Sequence, residues 1–213
     1  RTCCDLRSMK HPMDFWNERF GHDYYVYGME PNRWFAEQLA MLGTGKLLLP
    51  AEGEGRNAVH AASAGWRVTA YDMSEQGRNK ALQLAASRDV SFTYVTGGPD
   101  VLQALPHDFD AVAMIYAHFE AAERAALNTE VLRHLRQGGV LIMEAFALAQ
   151  LDYQPLYNSG GPRQADMLFT TAQVRKEFAG LSFTVLEEVE VILHEGRGHE
   201  GLAKVVRAVG VKS

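Results

Sequence analysis

Cysteine is nearly absent from this chain of 213 residues, which contains only the adjacent pair Cys3 and Cys4. Neighbouring cysteines at one end of a chain cannot cross-link the body of a fold, and they do not match the ligand spacing of a zinc site. We therefore expect neither a disulfide framework nor a bound metal ion. So little cysteine is typical of a reducing compartment, and we expect a cytoplasmic location.

Long apolar runs and an excess of basic charge are also missing. No stretch reaches the roughly 18 to 20 apolar residues that span a bilayer, and the opening RTCCDLRSMK lacks the apolar core of a signal peptide. The formal net charge is −5, with 22% charged residues and no long basic run. We therefore expect neither nucleic acid nor a membrane as a partner.

The composition predicts a single globular domain. Hydrophobic residues make up 47% of the chain, which at this length is enough for one sizeable core rather than two. We interpret residues 1–12 as a tail or a remnant of upstream sequence, and residues 13–213 as the domain.

Short apolar runs alternate with segments of helical period as far as residue 146, a pattern typical of a parallel sheet flanked by helices. The predicted strands are KLLLP (46–50), WRVTAYD (66–72), VSFTYV (90–95), FDAVAMIYA (109–117) and GGVLIMEAF (138–146). The predicted helices cover 56–64, 75–87 after the N-cap Ser74, and ERAALNTEVLRHLRQ (123–137).

The last part of the chain has a different pattern. Residues 147–168 are predicted to be irregular around a Gly-Gly-Pro turn, and a short helix at 171–179, capped by Thr170 or Thr171, is predicted to follow. SFTVLEEVEVIL (182–193) and LAKVVRAV (202–209) are predicted strands, and their short glycine-rich connection indicates an antiparallel hairpin. The sequence thus predicts an α/β fold with a seven-stranded Rossmann-like sheet, mostly parallel with a C-terminal antiparallel hairpin, and helices on both faces.

A glycine loop, residues 51–55, follows the first predicted strand in LLLPAEGEGRNAV. Gly53, Gly55 and Ala58 satisfy the short fingerprint of dinucleotide-binding loops, Gly-x-Gly-x-x-Ala. Asp72, at the end of the second strand, lies at the sequence distance expected of an acid that holds two ribose hydroxyls. These residues indicate a nucleotide ligand at the carboxyl edge of the sheet, with NAD as one candidate.

Glu52 and Glu54 beside the glycines favour a cationic ligand over a phosphate. In a partly desolvated loop, their carboxylates would repel the pyrophosphate of NAD. S-adenosylmethionine offers the same ribose to Asp72, has no phosphate, and carries cationic sulfonium and ammonium groups that acidic side chains attract. Glycine lets the backbone approach its amino-acid half closely.

Four segments, LLLPAEGEGRNAV, VTAYDMS, FDAVAMIYAHF and LRQGGVLIMEAF, together resemble class I S-adenosylmethionine-dependent methyltransferases. In particular they resemble the small branch related to the tellurite-resistance and thiopurine methyltransferases, and the similarity extends from FWNERFGHDYYVYGMEPN to EGRGHEGLAKVVR. The resemblance implies a methyltransferase sheet, S-adenosylmethionine as cofactor, and a small-molecule acceptor. Thiols and oxyanions of selenium or tellurium are the acceptor types that this branch suggests.

The resemblance also implies which residues bind the cofactor. The predicted set is Glu52, Gly53, Glu54, Gly55, Asn57, Asp72, Met73, Ser74, Ile115 and Tyr116. Two positions depart from the family pattern. The acidic residue that the family often carries in the first strand is Leu49 here, so we expect its function at Glu52. At the third strand, where an acid often meets the adenine amino group, the chain has Thr96, Gly97 and Gly98, and we assign no side chain to that contact.

The acceptor is predicted to meet the aromatic N-terminal segment and the two turns GGPR and GRGH. The predicted acceptor-binding residues are Trp16, Tyr27, His118, Arg163, Arg197 and His199. Arg163 and Arg197 suit an anionic acceptor. By resemblance, residues 13–45 form a lid segment over the cofactor.

The sequence assigns no catalytic residue. Transfer of a methyl group from a sulfonium relies mainly on orientation and exclusion of water, so the protein needs no covalent group. A thiolate or an oxyanion needs no base, whereas an acceptor that keeps its proton would need His118, His199 or Glu144.

Two other functions stay open from the sequence. One is a regulator that binds S-adenosylmethionine without catalysis, because the first motif departs from the family pattern. The other is an NAD-dependent oxidoreductase, which the acidic glycine loop disfavours.

Two further groups of residues are interpreted as solvated. His194, Glu195, His199 and Glu200 resemble a set of metal ligands, but glycines separate them and no third ligand has helical spacing, so we expect a solvated hairpin there. The basic residues of the predicted helix at 123–137 are expected on a solvated face; they are Arg124, Arg133 and Arg136.

Overall fold

The computed structural model describes residues 11–213. The tail predicted at residues 1–12, together with Cys3 and Cys4, therefore lies outside the described residues except for His11 and Pro12, and Pro12 begins a helix. Within residues 11–213, no helix has the length and apolar character needed to cross a membrane.

Seven strands form one sheet at the centre of the fold. They are β1 (Lys46–Pro50), β2 (Arg67–Asp72), β3 (Thr93–Thr96), β4 (Phe109–Ile115), β5 (Leu135–Phe146), β6 (Leu181–Glu195) and β7 (His199–Lys212). Their order across the sheet is β3-β2-β1-β4-β5-β7-β6. The first five strands pair in parallel, whereas β7 pairs antiparallel with both β5 and β6. The predicted seven-stranded sheet with its C-terminal hairpin is confirmed.

Helices cover both faces of this sheet, as predicted. They are α1 (Pro12–Phe20), α2 (Arg33–Leu39), α3 (Arg56–Ser63), α4 (Glu75–Ser87), α5 (Ala121–His134), α6 (Gln150–Tyr157) and α7 (Thr171–Glu177), with two short 3-10 helices at Pro99–Ala104 and Ala165–Met167. Ser74 caps α4 by accepting a hydrogen bond from Gly77 N, and Thr170 forms a capping box with Gln173 at α7. Both caps were predicted from their side chains.

Consecutive residues of β1 point to opposite faces of the sheet and enter two different cores. Leu47 and Leu49 pack with residues of α2, α3 and α4, whereas Leu48 packs with residues of α5 and α7. All three leucines are at most 1% exposed. Because both faces are covered, β1 is a continuous apolar run, and its end is held firmly where the glycine loop begins.

Residues 147–168 differ from the prediction, because they include helix α6 rather than only irregular chain. Pro155 lies inside this helix and has no N–H to donate, so local propensity does not favour a helix there. Hydrogen bonds to distant parts of the chain hold α6 in place. The buried Gln150 accepts from Lys204 N of β7 at 2.8 Å and donates to Ser159 Oγ at 2.9 Å.

Arg124 also differs from the prediction, because it is buried rather than solvated. It is 4% exposed, its guanidinium donates to the Glu177 carboxylate of α7 at 3.0–3.2 Å, and it lies 4.7 Å from the centre of the Phe169 ring. The prediction holds for Arg133, whose side chain is 66% exposed. Arg136 is also exposed, at 51%, but it lies in β5 and not on the predicted helix, because α5 ends at His134. Helical period alone did not separate Arg124 from the solvated face, because its partner is on another helix.

Replacing Arg124 with alanine is expected to lower the free energy of unfolding by about 3–5 kcal/mol, because it leaves the Glu177 carboxylate buried without its counterion. Urea unfolding followed by circular dichroism measures this change. Arg133→Ala is the matched control on the same helix, and its exposed pair with Glu130 should contribute less than about 1 kcal/mol. Equal losses of unfolding free energy in the two variants would show that the buried Arg124–Glu177 pair stabilises the fold no more than the exposed Arg133–Glu130 pair.

Candidate active site

The glycine loop joins β1 to α3 at the carboxyl edge of the sheet. Gly53 and Gly55 have φ values of 61° and 86°, in the left-handed region that favours glycine. A Cβ on Gly55 would overlap the Cβ of Ala81 in α4, so the loop lies directly against that helix. The two glycines are therefore required by the turn and by the close approach of α4.

Asp72, at the end of β2, lies against this loop. Its Oδ2 accepts from Gly53 N at 3.0 Å, and its Oδ1 accepts from Ser74 N at 2.9 Å. Burial raises the pKa of Asp72 to about 6, although these backbone donors act to lower it. No ion pair within residues 11–213 includes Asp72, and its carboxylate keeps some acceptor capacity beside the backbone donors Gly53, Met73 and Ser74. Met73 follows it as a half-buried residue.

The two glutamates of the loop have different contacts. Glu52 turns back onto α3, and its Oε1 accepts from Ala58 N at 2.7 Å. Burial raises the pKa of Glu52 to about 7, although the hydrogen bonds from Ala58 and Asn57 and the charge of Arg56 act to lower it. Glu54 instead points to the N-terminal segment: its Oε2 accepts from Val26 N at 2.8 Å, and its Oε1 pairs with Lys80 Nζ at 2.8 Å. Both oxygens of Glu54 are thus committed within the protein.

The N-terminal segment lies directly on the glycine loop. A Cβ on Gly53 would be 3.1 Å from Cζ of Phe20, at the end of α1. Ser74 Oγ donates to Asn17 of α1 at 2.8 Å, and Trp16 stacks on Phe20 with 5.3 Å between ring centres. The segment is placed as a lid would be, and its opening stays a prediction.

Asn57 and Tyr116 connect the predicted cofactor site to a buried polar network. Asn57 Oδ1 accepts from Asn32 N at 2.9 Å, and Tyr116, which follows Ile115 of β4, has φ 52°. The hydroxyl of Tyr116 donates to Glu144 Oε1 at 2.9 Å, and Glu144 is 1% exposed. These contacts hold the end of β4 in a fixed position beside the loop.

The hairpin between β6 and β7 differs from the prediction of a fully solvated turn. His194 and Glu200 are exposed, but Glu195 and His199 point inwards, and His199 is 5% exposed. Glu195 accepts from Arg56 Nη2 at 2.9 Å and from Asn32 Nδ2 at 2.8 Å, and it lies 3.4 Å from Nδ1 of His199. Within residues 11–213, no three His, Cys, Asp or Glu side chains come together as a metal site.

Burial and the interaction between Glu195 and His199 have opposite effects on the pKa of each of these two residues. Burial acts to raise the pKa of Glu195, but the hydrogen bond with His199 and the charge of Arg56 outweigh it and lower the pKa to about 2. Burial lowers the pKa of His199, and Glu195 offsets that effect only in part. At neutral pH, Glu195 is therefore a carboxylate and His199 a neutral imidazole.

His118, predicted to contact the acceptor, is fully engaged by the backbone. Its Nδ1 lies 2.8 Å from Met167 O, and its Nε2 accepts from Phe146 N at 3.2 Å. The donor at Nε2 requires that the proton be on Nδ1, which then donates to Met167 O. Burial lowers the pKa of His118 to about 4, so the ring is neutral.

An open cleft of about 660 Å³ lies beside the hairpin and is lined by three arginines, Arg19, Arg163 and Arg197, and by glycines 160, 161 and 198. Arg19 Nε donates to Tyr27 OH at 2.9 Å, and the Arg197 guanidinium lies 4.2 Å from the ring centre of Tyr24. In the described part of the chain, none of the three arginines has a carboxylate partner. This arginine cleft reaches His199, because a Cβ on Gly160 would lie 3.0 Å from the His199 ring.

The sequence did not indicate Arg19, Asn32 or Phe20 as site residues. Arg19 and Phe20 lie on α1, inside the segment predicted as a lid, but nothing in the sequence distinguished these two residues from the others of that segment. A second cleft, of about 550 Å³, lies near Lys46, Arg67 and Phe109 at the amino ends of the strands. That is the edge away from the glycine loop, so we do not assign it to the site.

Residues 48–139 match a protein family described as methyltransferase domain. The matched region runs from β1 into β5 and includes the glycine loop, Asp72 and Tyr116. No curated protein matches the sequence.

Solved structures share the fold over nearly the whole chain. A structure described as "Conversion of a Disulfide Bond into a Thioacetal Group during Echinomycin Biosynthesis" has a TM-score of 0.76 at 16% identity, covering 95% of this chain and 93% of that one. TehB from Haemophilus influenzae has a TM-score of 0.69 at 13% identity, covering 94% and 67%. The magnesium protoporphyrin IX methyltransferase ChlM from Synechocystis PCC 6803, with bound SAM, has a TM-score of 0.66 at 17% identity, covering 94% and 95%. At these identities the likeness establishes the Rossmann-like methyltransferase fold.

Replacing Glu54 with glutamine is expected to loosen the N-terminal segment, because the amide cannot replace the carboxylate that accepts from Val26 N and pairs with Lys80. A hydrogen bond to a charged group contributes about 1.5–3 kcal/mol, so the Val26 amide should exchange roughly ten to a hundred times faster. Hydrogen exchange measured by NMR or mass spectrometry tests this. Glu52→Gln is the control, because Glu52 contacts Ala58 and should leave the Val26 amide unchanged. Unaltered exchange in Glu54→Gln would refute the anchoring role.

Proposed function

We propose that this protein is an S-adenosylmethionine-dependent methyltransferase that acts on a small-molecule acceptor. The observation that carries the proposal is the glycine loop against the buried carboxylate of Asp72, inside the region that matches a methyltransferase domain. A loop of this kind at the carboxyl edge of a parallel sheet is where α/β folds bind nucleotides.

The chemistry of the loop fits S-adenosylmethionine. Asp72 has lone pairs available for ribose hydroxyls, and Glu52 has its pKa raised to about 7 by burial, so a nearby ammonium would favour its ionised form. Nη1 of Arg56 is buried with no hydrogen-bond partner among the described residues, and it suits the carboxylate of an amino acid. S-adenosylmethionine, when bound, supplies a methyl group on cationic sulfur.

The proposed cofactor contacts follow the sequence prediction with one reassignment. They are Glu52, Gly53, Gly55, Asn57, Asp72, Met73, Ser74, Ile115 and Tyr116. Glu54 is proposed to hold the lid segment closed rather than to touch the cofactor, because both its oxygens are engaged by Val26 and Lys80. The lid segment then excludes water from the transfer.

The proposed acceptor site is the arginine cleft together with the aromatic wall of Trp16 and Tyr27. Arg19, Arg163 and Arg197 favour an acceptor with an anionic group. The resemblance to the tellurite-resistance and thiopurine branch supports thiols or oxyanions of selenium or tellurium as acceptors. A cofactor-binding regulator would not need such a cleft, and NAD would place its phosphates beside buried carboxylates.

Replacing Asp72 with alanine is expected to weaken S-adenosylmethionine binding by about 1.5–3 kcal/mol, the usual contribution of hydrogen bonds to a charged group. Calorimetric titration with S-adenosylmethionine, S-adenosylhomocysteine and NAD measures this, and only the first two should bind the wild-type protein. Circular dichroism checks that the variant folds. Asp108→Ala is the control, because Asp108 is exposed at the opposite edge of the sheet, where it pairs with Lys46. Unchanged affinity in folded Asp72→Ala would refute the ribose assignment.

Replacing Arg163 or Arg197 with glutamine is expected to weaken binding of an anionic acceptor by up to about fivefold each, the range of exposed ion pairs. Calorimetry with 4-hydroxybenzoate as probe measures the effect, which should shrink as salt is added. Arg33→Gln is the control, because Arg33 pairs with Glu37 on the exposed side of α2. An effect of the same size on neutral phenol would show that the arginines do not act through charge.

A further inference from the structure

We propose that His199 is the general base of the methyl transfer, that Glu195 is its positioning residue, and that the acceptor therefore enters with its proton in place, as a thiol, phenol or alcohol. This inference rests on the proposed methyltransferase function. It goes beyond that function by assigning a catalytic residue and the protonation state of the acceptor.

Glu195 and His199 form a fixed pair at the base of the hairpin. They are directly opposite each other in the β6–β7 ladder, with Nδ1 of His199 3.4 Å from Oε2 of Glu195. Arg56 from α3 and Asn32 from the segment before α2 each donate to Glu195, at 2.9 and 2.8 Å. The carboxylate is therefore held from two other elements, and it fixes the orientation of the imidazole.

This arrangement leaves one nitrogen of His199 available as a base. A carboxylate accepts only, so the proton of the neutral ring is on Nδ1 and the lone pair is on Nε2. Nε2 has no hydrogen-bond partner within residues 11–213. The arrangement of carboxylate, imidazole and free Nε2 is the one that activates nucleophiles in many hydrolases.

The other two candidate bases have no such atom. Both ring nitrogens of His118 are engaged by backbone groups. Glu144 Oε1 accepts from Asn32 and Tyr116, and its Oε2 accepts from Arg207 at 2.6 Å. Of the three candidates, His199 alone has a ring nitrogen or carboxylate oxygen without a hydrogen-bond partner among the described residues, and its ring lies against Gly160, which lines the arginine cleft.

The ring of His199 lies between Tyr116, a proposed cofactor contact, and Gly160 of the arginine cleft. It is 4.3 Å from the ring of Tyr116, which follows β4, and 4.5 Å from the ring of Tyr27 on the N-terminal segment. Gly160 of the arginine cleft lies against the His199 ring, and Gly198 of the same cleft precedes His199 in the chain and lies against Tyr27. An acceptor whose anionic group is bound by the arginines can thus present its nucleophile to Nε2.

Burial is the main reason that His199 is neutral near pH 7, and the charged groups around it act in both directions. Burial lowers the pKa of His199 below its ordinary value of 6.5, Glu195 raises it, and the charges of Arg56 and Arg19 lower it. His118, also neutral, is the nearest other imidazole, and Tyr27 and Tyr116 are the neighbouring phenols. The basic form of His199 is therefore lost only as the pH falls through a value below 6.5.

In the proposed transfer, the methyl group moves from the cofactor's sulfur to the acceptor, and the acceptor's proton moves to His199. A lone pair of the acceptor's sulfur or oxygen forms a bond to the methyl carbon, while the bond between that carbon and the cofactor's sulfur breaks and its electron pair stays on that sulfur. The acceptor's proton passes to Nε2 of His199. The positive charge thereby moves to the imidazole, where Glu195 stabilises it, and water then removes the proton.

NMR of the free protein tests the base without any acceptor. The expected result is a neutral His199 ring with its proton on Nδ1 at pH 7.5 and a pKa that falls further in Glu195→Gln, because that variant removes the charge that raises it. His194→Gln is the matched control, because His194 and Glu200 form a similar but exposed pair on the outer side of the same hairpin. A proton on Nε2, or a pKa that does not change in Glu195→Gln, would overturn the proposal.

Methyl transfer from labelled S-adenosylmethionine supplies the second test, with 4-hydroxybenzoate, 2-mercaptoethanesulfonate and selenite as probes. His199→Gln should lower kcat for the phenol or thiol roughly 100- to 10,000-fold with little change in KM, the usual range for a general base. The wild-type rate should rise with pH to a plateau, and Glu195→Gln should move the midpoint to lower pH. Transfer to the phenol or thiol that His199→Gln leaves unchanged, or transfer to selenite alone, overturns the base while leaving the proposed function intact. Failure to bind S-adenosylmethionine refutes the proposed function instead.

Discussion

The geometry of the site depends on one buried side chain, Asn32. Its Nδ2 donates to Glu144 of β5 at 2.6 Å and to Glu195 of the hairpin at 2.8 Å. Its Oδ1 caps α2 by accepting from Phe35 N, and its backbone N–H donates to Asn57 of α3. A neutral amide suits this position, because it satisfies two carboxylates without adding charge. Parts of the chain that are distant in sequence therefore meet at a single amide.

The two carboxylates that Asn32 joins are each matched by an arginine. Arg207 of β7 donates to Glu144 at 2.6 Å, and Arg56 of α3 donates to Glu195 at 2.9 Å. Burying an unpaired charge would cost several kcal/mol, so these pairs tie the lid segment, the sheet and the hairpin into one arrangement. Such rigidity favours a reaction that depends on holding two reactants in line.

The three acidic residues around the glycine loop, Asp72, Glu52 and Glu54, accept hydrogen bonds from different parts of the chain. Asp72 and Glu52 accept from backbone amides at the loop and keep capacity for a ligand. Glu54 uses both oxygens to hold the N-terminal segment. The same short acidic stretch therefore contacts both the proposed cofactor loop and the N-terminal segment that lies over it.

Sequence alone was enough to predict the sheet, its hairpin, the glycine loop and the position of Asp72, because the signals for each lie within a few residues: apolar period, helix caps, and turns that need glycine. It did not determine the burial of Arg124 or the orientation of Glu54, whose partners lie on other elements. The hairpin shows the physical reason. His194 and Glu200 face each other across the ladder, as do Glu195 and His199, and the two pairs lie on opposite faces. The alternation of side chains along a strand puts the two pairs on opposite faces, but the contact of the hairpin with Asn32 and Arg56 decides which pair is buried. Local sequence could not show this, because that contact joins residues more than a hundred positions apart.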